Sequence, residues 1–175
     1  MGSSLSLENQ VLLGQLLTQV AEQDRGFLPD PAYRPFHKLV PWPAVEVLIY
    51  DKDGRFVLSH RQDDFVGWHI PGGFIRVNES YQDACNRNVR KEKVVEAVTD
   101  LRLISSHTWL KGEHPFGYPI SLTFACQAVG TIVERDDLRW FFEIPSDVIK
   151  EQHPNYLRHF QQWLQDPTRP SAAIL

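Results

Sequence analysis

Two glutamates, Glu79 and Glu92, bracket the part of this 175-residue chain where chemistry is concentrated, with Pro71-Gly72-Gly73 ahead of them and Arg87 and Lys91 between. A carboxylate at a helix end, beside a glycine turn that offers backbone carbonyls, can hold a hard divalent cation such as Mg²⁺, which takes oxygen ligands and keeps several waters. Such an ion neutralises a pyrophosphate and lowers the pKa of a water bound to it. That is chemistry for a phosphate-bearing substrate.

The arrangement needs a strand, a sharp turn and a helix, and the sequence supplies them in order. Trp68-His69-Ile70 is an apolar approach that breaks at Pro71-Gly72-Gly73, where proline removes a backbone donor and glycine tolerates positive φ. Past Glu79, apolar residues at Tyr81, Ala84, Cys85 and Val89 predict a helix of about four turns with one buried side. Upstream, residues 44–50 and 55–60 read as strands joined by the turn Asp51-Lys52-Asp53-Gly54. Downstream, strands are expected at 101–110, 118–129 and 138–143, a short helix at Ile144-Pro145-Ser146, and a last helix from Pro154. Val11, Leu12, Leu16, Leu17 and Val20 mark an amphipathic helix from Leu7 to about Gln23, which Asp24-Arg25-Gly26 ends. A proline-punctuated linker is expected to follow, up to Pro43. Strands alternating with helices around a mixed sheet make the fold class α/β (α+β).

Written as a pattern, the central stretch is Gly73, five residues, Glu79, seven residues, Arg87, then Asn88-Val89-Arg90-Lys91-Glu92-Lys93-Val94-Val95. It resembles the signature of the Nudix hydrolases, Gly-x5-Glu-x7-Arg-Glu-U-x-Glu-Glu-x-Gly-U, with U a bulky aliphatic. Gly73, Glu79, Arg87, Val89, Glu92 and Val95 fall in register; Asn88 and Lys91 stand at two of the glutamates and Val94 at the last glycine. The resemblance implies a Nudix-type α/β/α sandwich around a mixed β-sheet, with an extra N-terminal helix. The division it suggests is 1–37 for helix and linker, 38–168 for the Nudix domain and 169–175 for a tail. It implies Mg²⁺, or Mn²⁺ in its place, held by Glu92 and the carbonyl of Gly72. Arg87 falls at the arginine that holds the family's glutamates in place.

The departures change the chemistry. Asn88, Lys91 and Glu92 lie near one helix face, so three family carboxylates become one carboxylate, one amide and one cation. Lys91 either contacts a substrate phosphate as a point charge or is a surface lysine on a helix that has lost its metal. One branch, the GDP-mannose mannosyl hydrolases, is similar in lacking the same two glutamates. That branch uses one Mg²⁺ and attacks the anomeric carbon of the sugar. Arg61 matches an arginine that contacts the diphosphate there, with a solvated loop cation as the alternative. Glu134, in the loop before Arg139-Trp140, matches a metal ligand, and Arg135 stands where the branch has its base histidine. The candidates for a replacement base are His107, His114, Asp136 and Asp137. His114, in a loop expected to border the cleft, is assigned the role, and His107 reads as a packed strand residue. His69 reads as structural, His153 as a helix-boundary residue and His159 as a helical surface one. Trp68, Trp109, Phe116 and Tyr118 could stack on a base or sugar, and each also suits a core.

A net charge of −4 without a polybasic run disfavours nucleic-acid and membrane-surface roles. No apolar run approaches the roughly 20 residues of a membrane helix, and the N-terminal residues lack the pattern of a signal peptide. Cys85 and Cys126, outside any CxxC spacing, read as buried free thiols of a cytoplasmic protein. The expected activity is Mg²⁺-dependent hydrolysis of a nucleoside diphosphate linked to another moiety, with GDP-mannose or a similar nucleotide sugar cut at the anomeric carbon favoured. The alternatives are a catalytically impaired Nudix-fold module that binds nucleotide sugars, and an ordinary pyrophosphate-cleaving Nudix hydrolase. The N-terminal helix either packs on its own domain or makes a homodimer, as relatives often do.

Overall fold

The computed structural model describes residues 5–22, 30–62, 66–110, 112–114, 117–149, 152–168 and 170–174. Its elements in chain order are α1 (Leu7–Glu22), α2 (Asp30–His37), β1 (Pro43–Ile49), β2 (Phe56–Gln62), β3 (Val66–His69), β4 (Gly72–Phe74), α3 (Tyr81–Lys91), β5 (Ala97–Thr108), β6 (Ile120–Val129), β7 (Leu138–Phe141), α4 (His153–Gln165) and β8 (Ala172–Ile174). Every residue of β1 after Pro43 is buried, as a strand covered on both faces should be. Val45, Val47 and Ile49 pack with Ala84, Cys85 and Val89 of α3, while Leu48 packs with Tyr156, Leu157 and Phe160 of α4. The two-residue period of the strand thus sorts its side chains between two helical layers. The result is the expected α/β/α sandwich.

The larger sheet is mixed, in the order β4-β1-β6-β5-β8, with β1 parallel to β6 and β5 parallel to β8. A second, antiparallel sheet runs β3-β2-β7. Cys85 and Cys126 are buried free thiols. No helix among the described residues is long and apolar enough to cross a membrane.

Four elements differ from the sequence reading. The proline-punctuated linker contains α2, because the rings of Tyr33, Phe36 and His37 cluster with those of Trp42 and Phe74 and His37 is buried. That aromatic packing outweighs the cost of Pro35 inside a short helix. Residues 144–146 form no helix. Their segment instead runs alongside β3, where Trp68 N–H donates to Asp147 O and Ile149 N–H to Trp68 O at 3.0 and 2.7 Å. The tail adds β8 to the edge of β5. Finally α3 stops after Lys91, about three turns rather than four, because Lys93 takes φ +54°. Lys93 N–H then bonds Arg90 O at 2.9 Å and Val94 N–H bonds Val89 O at 2.8 Å, which closes the helix and buries Val94. The expected helix stop at residues 24–26 lies outside the described residues.

Candidate active site

The glycine turn is held by an ion pair across the signature. Arg87 donates from Nε to Glu79 Oε1 at 2.6 Å and from an Nη to Glu79 Oε2 at 2.8 Å; the same Nη reaches Phe74 O at 2.8 Å. Glu79 also accepts from Arg76 N–H at 2.8 Å, so one carboxylate ties the loop after β4 to α3. These bonds, led by the one from Arg87, hold Glu79 below the usual carboxylate pKa. Arg87 therefore holds Glu79 and the turn, where the sequence reading had it steadying Glu92. Asn88 is a packing residue. It is buried, donates to Ala84 O at 2.9 Å, and its Oδ1 stands where a Cβ on Gly73 would come within 2.6 Å.

Because α3 ends at Lys91, Glu92 is its C-cap and turns back onto the glycine turn. Its Oε1 accepts from Gly72 N–H at 3.3 Å, and its Oε2 lies 3.0 Å from His69 Nε2. His69 donates from Nδ1 to Ser59 O at 2.7 Å, which fixes its ring with Nε2 toward Glu92. Both facing atoms are buried and neither makes an aligned hydrogen bond. His69, read from sequence as structural, is held by Ser59 O and faces the box glutamate across 3.0 Å.

Glu46, which the sequence reading missed, is the second carboxylate of the site. It sits on β1 opposite Gly72, and a Cβ on Gly72 would lie 2.7 Å from its Oε2. Ser121 Oγ donates to its Oε1 at 3.1 Å and in turn accepts from Trp109 Nε1 at 3.0 Å. Burial pushes Glu46 up to about 8 against the opposing Ser121 bond, and the charge of Glu92 adds to the rise. Its signal in the sequence was a lone ionisable residue in an otherwise apolar strand. His153, read as a helix-boundary residue, accepts from Ile70 N–H at 3.2 Å through Nδ1. Burial holds it at about 3, neutral at any ordinary pH.

These groups meet at a cavity of about 410 Å³, within the usual range for a small-molecule site. Arg61 and Lys91 both line it, as do Glu46, His69, Gly72 and His153. Glu92, whose side chain is 15% exposed, lies directly behind His69 and Gly72. His114 is the one of the four base candidates that lines the cavity, and burial lowers its pKa to about 4. His107 is buried on β5 as expected.

Glu134 is not brought into this group. It is exposed and its Oε1 accepts from Trp140 N–H at 2.9 Å, a loop-closing role. Arg135 donates to Lys93 O and Glu92 O at 2.8 and 3.0 Å and pairs with Asp137, which ties the loop to the end of α3. Asp136 and Asp137 are exposed on the same loop and do not line the cavity. Of the proposed stacking rings, Trp109 lines the cavity and Trp68 packs against Phe141. Phe116 lies outside the described residues.

The two carboxylates and the backbone of Gly72 are hard oxygen donors, and Glu92 Oε2 is buried without an aligned partner. They fit one hard cation. Among the described residues no group of three or more His, Cys, Asp or Glu gathers as a metal cluster, so an ion held here would take the rest of its shell from other oxygens, such as water.

A family model of the NUDIX domain matches residues 40–164, and the chain belongs to the Nudix family. Among solved structures, a NUDIX hydrolase from Nitrosomonas europaea is similar with TM-score 0.60 and 19% identity, over 79% of this chain and 81% of that one. A UDP-X diphosphatase matches with TM-score 0.58 and 18% identity over 95% and 85%. An ADP-ribose pyrophosphatase from Streptococcus suis matches with TM-score 0.56 and 15% identity over 77% and 100%. At such identities the likeness is one of fold. No curated protein matches.

Proposed function

We propose that this protein is a divalent-cation-dependent hydrolase of a nucleoside diphosphate linked to a second moiety. The observation that carries the reading is a single cavity in which Glu46, with Glu92 behind it, meets the glycine turn while Arg61 and Lys91 face the same space. A bound Mg²⁺ or Mn²⁺, held by Glu92, Glu46 and the carbonyl of Gly72, would neutralise the diphosphate and acidify a water. Arg61 and Lys91 hold the diphosphate. Without a cation Glu46 holds its proton at neutral pH; ionised beside the cation, it can take a proton from water. His114 is neutral above pH 4 and accepts a proton from water, weakly for so low a pKa.

The favoured substrate is a nucleotide sugar such as GDP-mannose, cut at the anomeric carbon. What supports this is the pattern of missing glutamates: at the cavity wall Asn88 offers an amide, bonded to Ala84 O, and Lys91 a cation, so a multi-ion attack on phosphorus is poorly equipped. The solved neighbours described as a UDP-X diphosphatase and an ADP-ribose pyrophosphatase suit the nucleoside diphosphate part of the reading. A second reading, a nucleotide-sugar-binding module without turnover, is favoured by Glu134 and Arg135, which serve the loop and not the cavity.

A panel of nucleoside diphosphate sugars, incubated with Mg²⁺, Mn²⁺ or EDTA, separates these readings. Release of free sugar and nucleoside diphosphate, lost in EDTA and in Glu92→Gln, is the expected result. Nucleoside monophosphate plus sugar phosphate would place the chain with the pyrophosphate-cleaving enzymes. Binding without any product would leave the module.

A further inference from the structure

Helix α2 precedes the span that matches the family, yet it builds part of the cavity. Tyr33 and His37, one turn apart on α2, have ring centroids 4.3 Å apart. The His37 ring is buried and acts as a hub, 4.3 Å from Trp42 and 4.2 Å from Phe74. Around it Tyr33, Trp42 and Phe74 are only half-buried, and all three line the cavity. Trp109 and His114, stacked edge to face at 4.9 Å, line it as well.

This wall is fixed in place. Gly117 holds φ +136°, and any side chain there would run into the carbonyl of His37, so the loop was left bare for the end of α2 to pack on it. Trp42 O accepts from Ile120 N–H at 2.8 Å and Pro43 O from Ile75 N–H at 2.9 Å, which anchors the segment after α2 to β6 and β4. Half-exposed rings held rigidly in a cavity lose little entropy on binding and offer flat apolar area to a flat ligand. The same cavity carries Arg61 and Lys91 for phosphate oxygens, so a ligand with a planar ring at one end and phosphates at the other can use both.

We propose that Tyr33, Trp42 and Phe74 form the nucleobase subsite, so that α2 is the element that makes this chain select base-bearing diphosphates over base-free ones. The inference rests on the nucleoside diphosphate reading above and adds where the base goes. The test titrates the full chain, with Mg²⁺ present, with ADP, UDP and GDP and with inorganic pyrophosphate and ribose 5-phosphate. Calorimetry reads affinity and tryptophan fluorescence reads stacking.

Tyr33→Ala is expected to weaken at least one nucleoside diphosphate by about tenfold or more, the worth of one base–aromatic stack, and Tyr33→Phe to restore it. Pyrophosphate affinity should stay within about twofold in both variants. Should Tyr33→Ala not fold, Phe74→Leu reads the same contrast. Equal loss for pyrophosphate, no loss for any nucleoside diphosphate, or a wild type that binds none of them better than pyrophosphate would each overturn the subsite. Hydrolysis assayed in the same samples keeps the two ideas apart. Turnover that ignores Tyr33 sinks the subsite alone, and base-dependent binding without turnover sinks the hydrolase alone.

Discussion

Arg87 and Glu79 make the best-defined polar contact of the site, with two parallel bonds from a planar guanidinium to a carboxylate and a third to a backbone carbonyl. Arg87→Ala leaves Glu79, largely buried, without its counter-ion and should cost about 2–3 kcal/mol of stability in a denaturant titration. Because the pair holds Glu79 below its usual pKa, its contribution is present at neutral pH and is lost as the carboxylate is protonated in acid. Glu46 acts with the opposite sign. Its folded pKa of about 8 lies above the unfolded value of 4.5, so the folded state binds the extra proton between those pH values. Stability contributed by the neutral acid is therefore lost as pH rises through that window. In EDTA, Glu46→Gln should gain melting temperature relative to wild type as pH goes from 5 to 9. A constant difference across that range would show that Glu46 does not titrate there.

At the scale of elements, the end of α3 and the glycine turn decide the site together. If the helix ran on for a fourth turn, Glu92 would stay on its surface; the left-handed Lys93 ends it and sends Glu92 to Gly72 and His69. Gly73, at φ +157°, leaves no room for a Cβ beside Asn88 Oδ1. Gly73→Ala should cost about 2 kcal/mol or more, chiefly by displacing a buried amide. Pairing it with Asn88→Ala should recover part of that loss in a double-mutant cycle, and strict additivity would place the strain elsewhere. The opposing glycine has the same logic toward chemistry: a side chain at Gly72 would meet Glu46 and the carbonyl of Val45. Gly72→Ala is expected to abolish turnover of the panel and, because the clash is with the backbone of Val45, to cost at least as much stability as Gly73→Ala.

Over the whole molecule, α1 stands apart from the two cores. Leu7, Val11, Leu12, Leu13 and Leu16 are each at least 45% exposed, so its apolar side is not covered by the described residues. A second copy is the occupant proposed for it, consistent with the homodimer reading. Light scattering should give twice the chain mass for the full protein and the single mass for a chain starting at residue 30. A monomer in both would end the idea.

Local chemistry in the sequence determined a good deal of this. The periods of β1, α3 and α4, the glycine break at residues 71–73 and the spacing of Glu79, Arg87 and Glu92 each depend on neighbours within a few turns, and all appear in the fold. They were enough for the family; the resemblance they carry pointed to Arg61, and Arg61, Lys91 and His114 line one cavity. What only the tertiary structure decided is which side chains are dry and which elements meet. Glu46 went unassigned in the sequence, and it is a site residue only because β4 and β6 flank β1 and burial raises its pKa. Tyr33 and Trp42 looked like a linker until Gly117, some 80 residues on, gave α2 a place to pack. Glu134 looked like a ligand because alignment places a residue on a loop, whereas the direction of that loop is set by Arg135 bonding the end of α3. Spacing along the chain carries periodicity; desolvation and long-range contact exist only once the chain has folded.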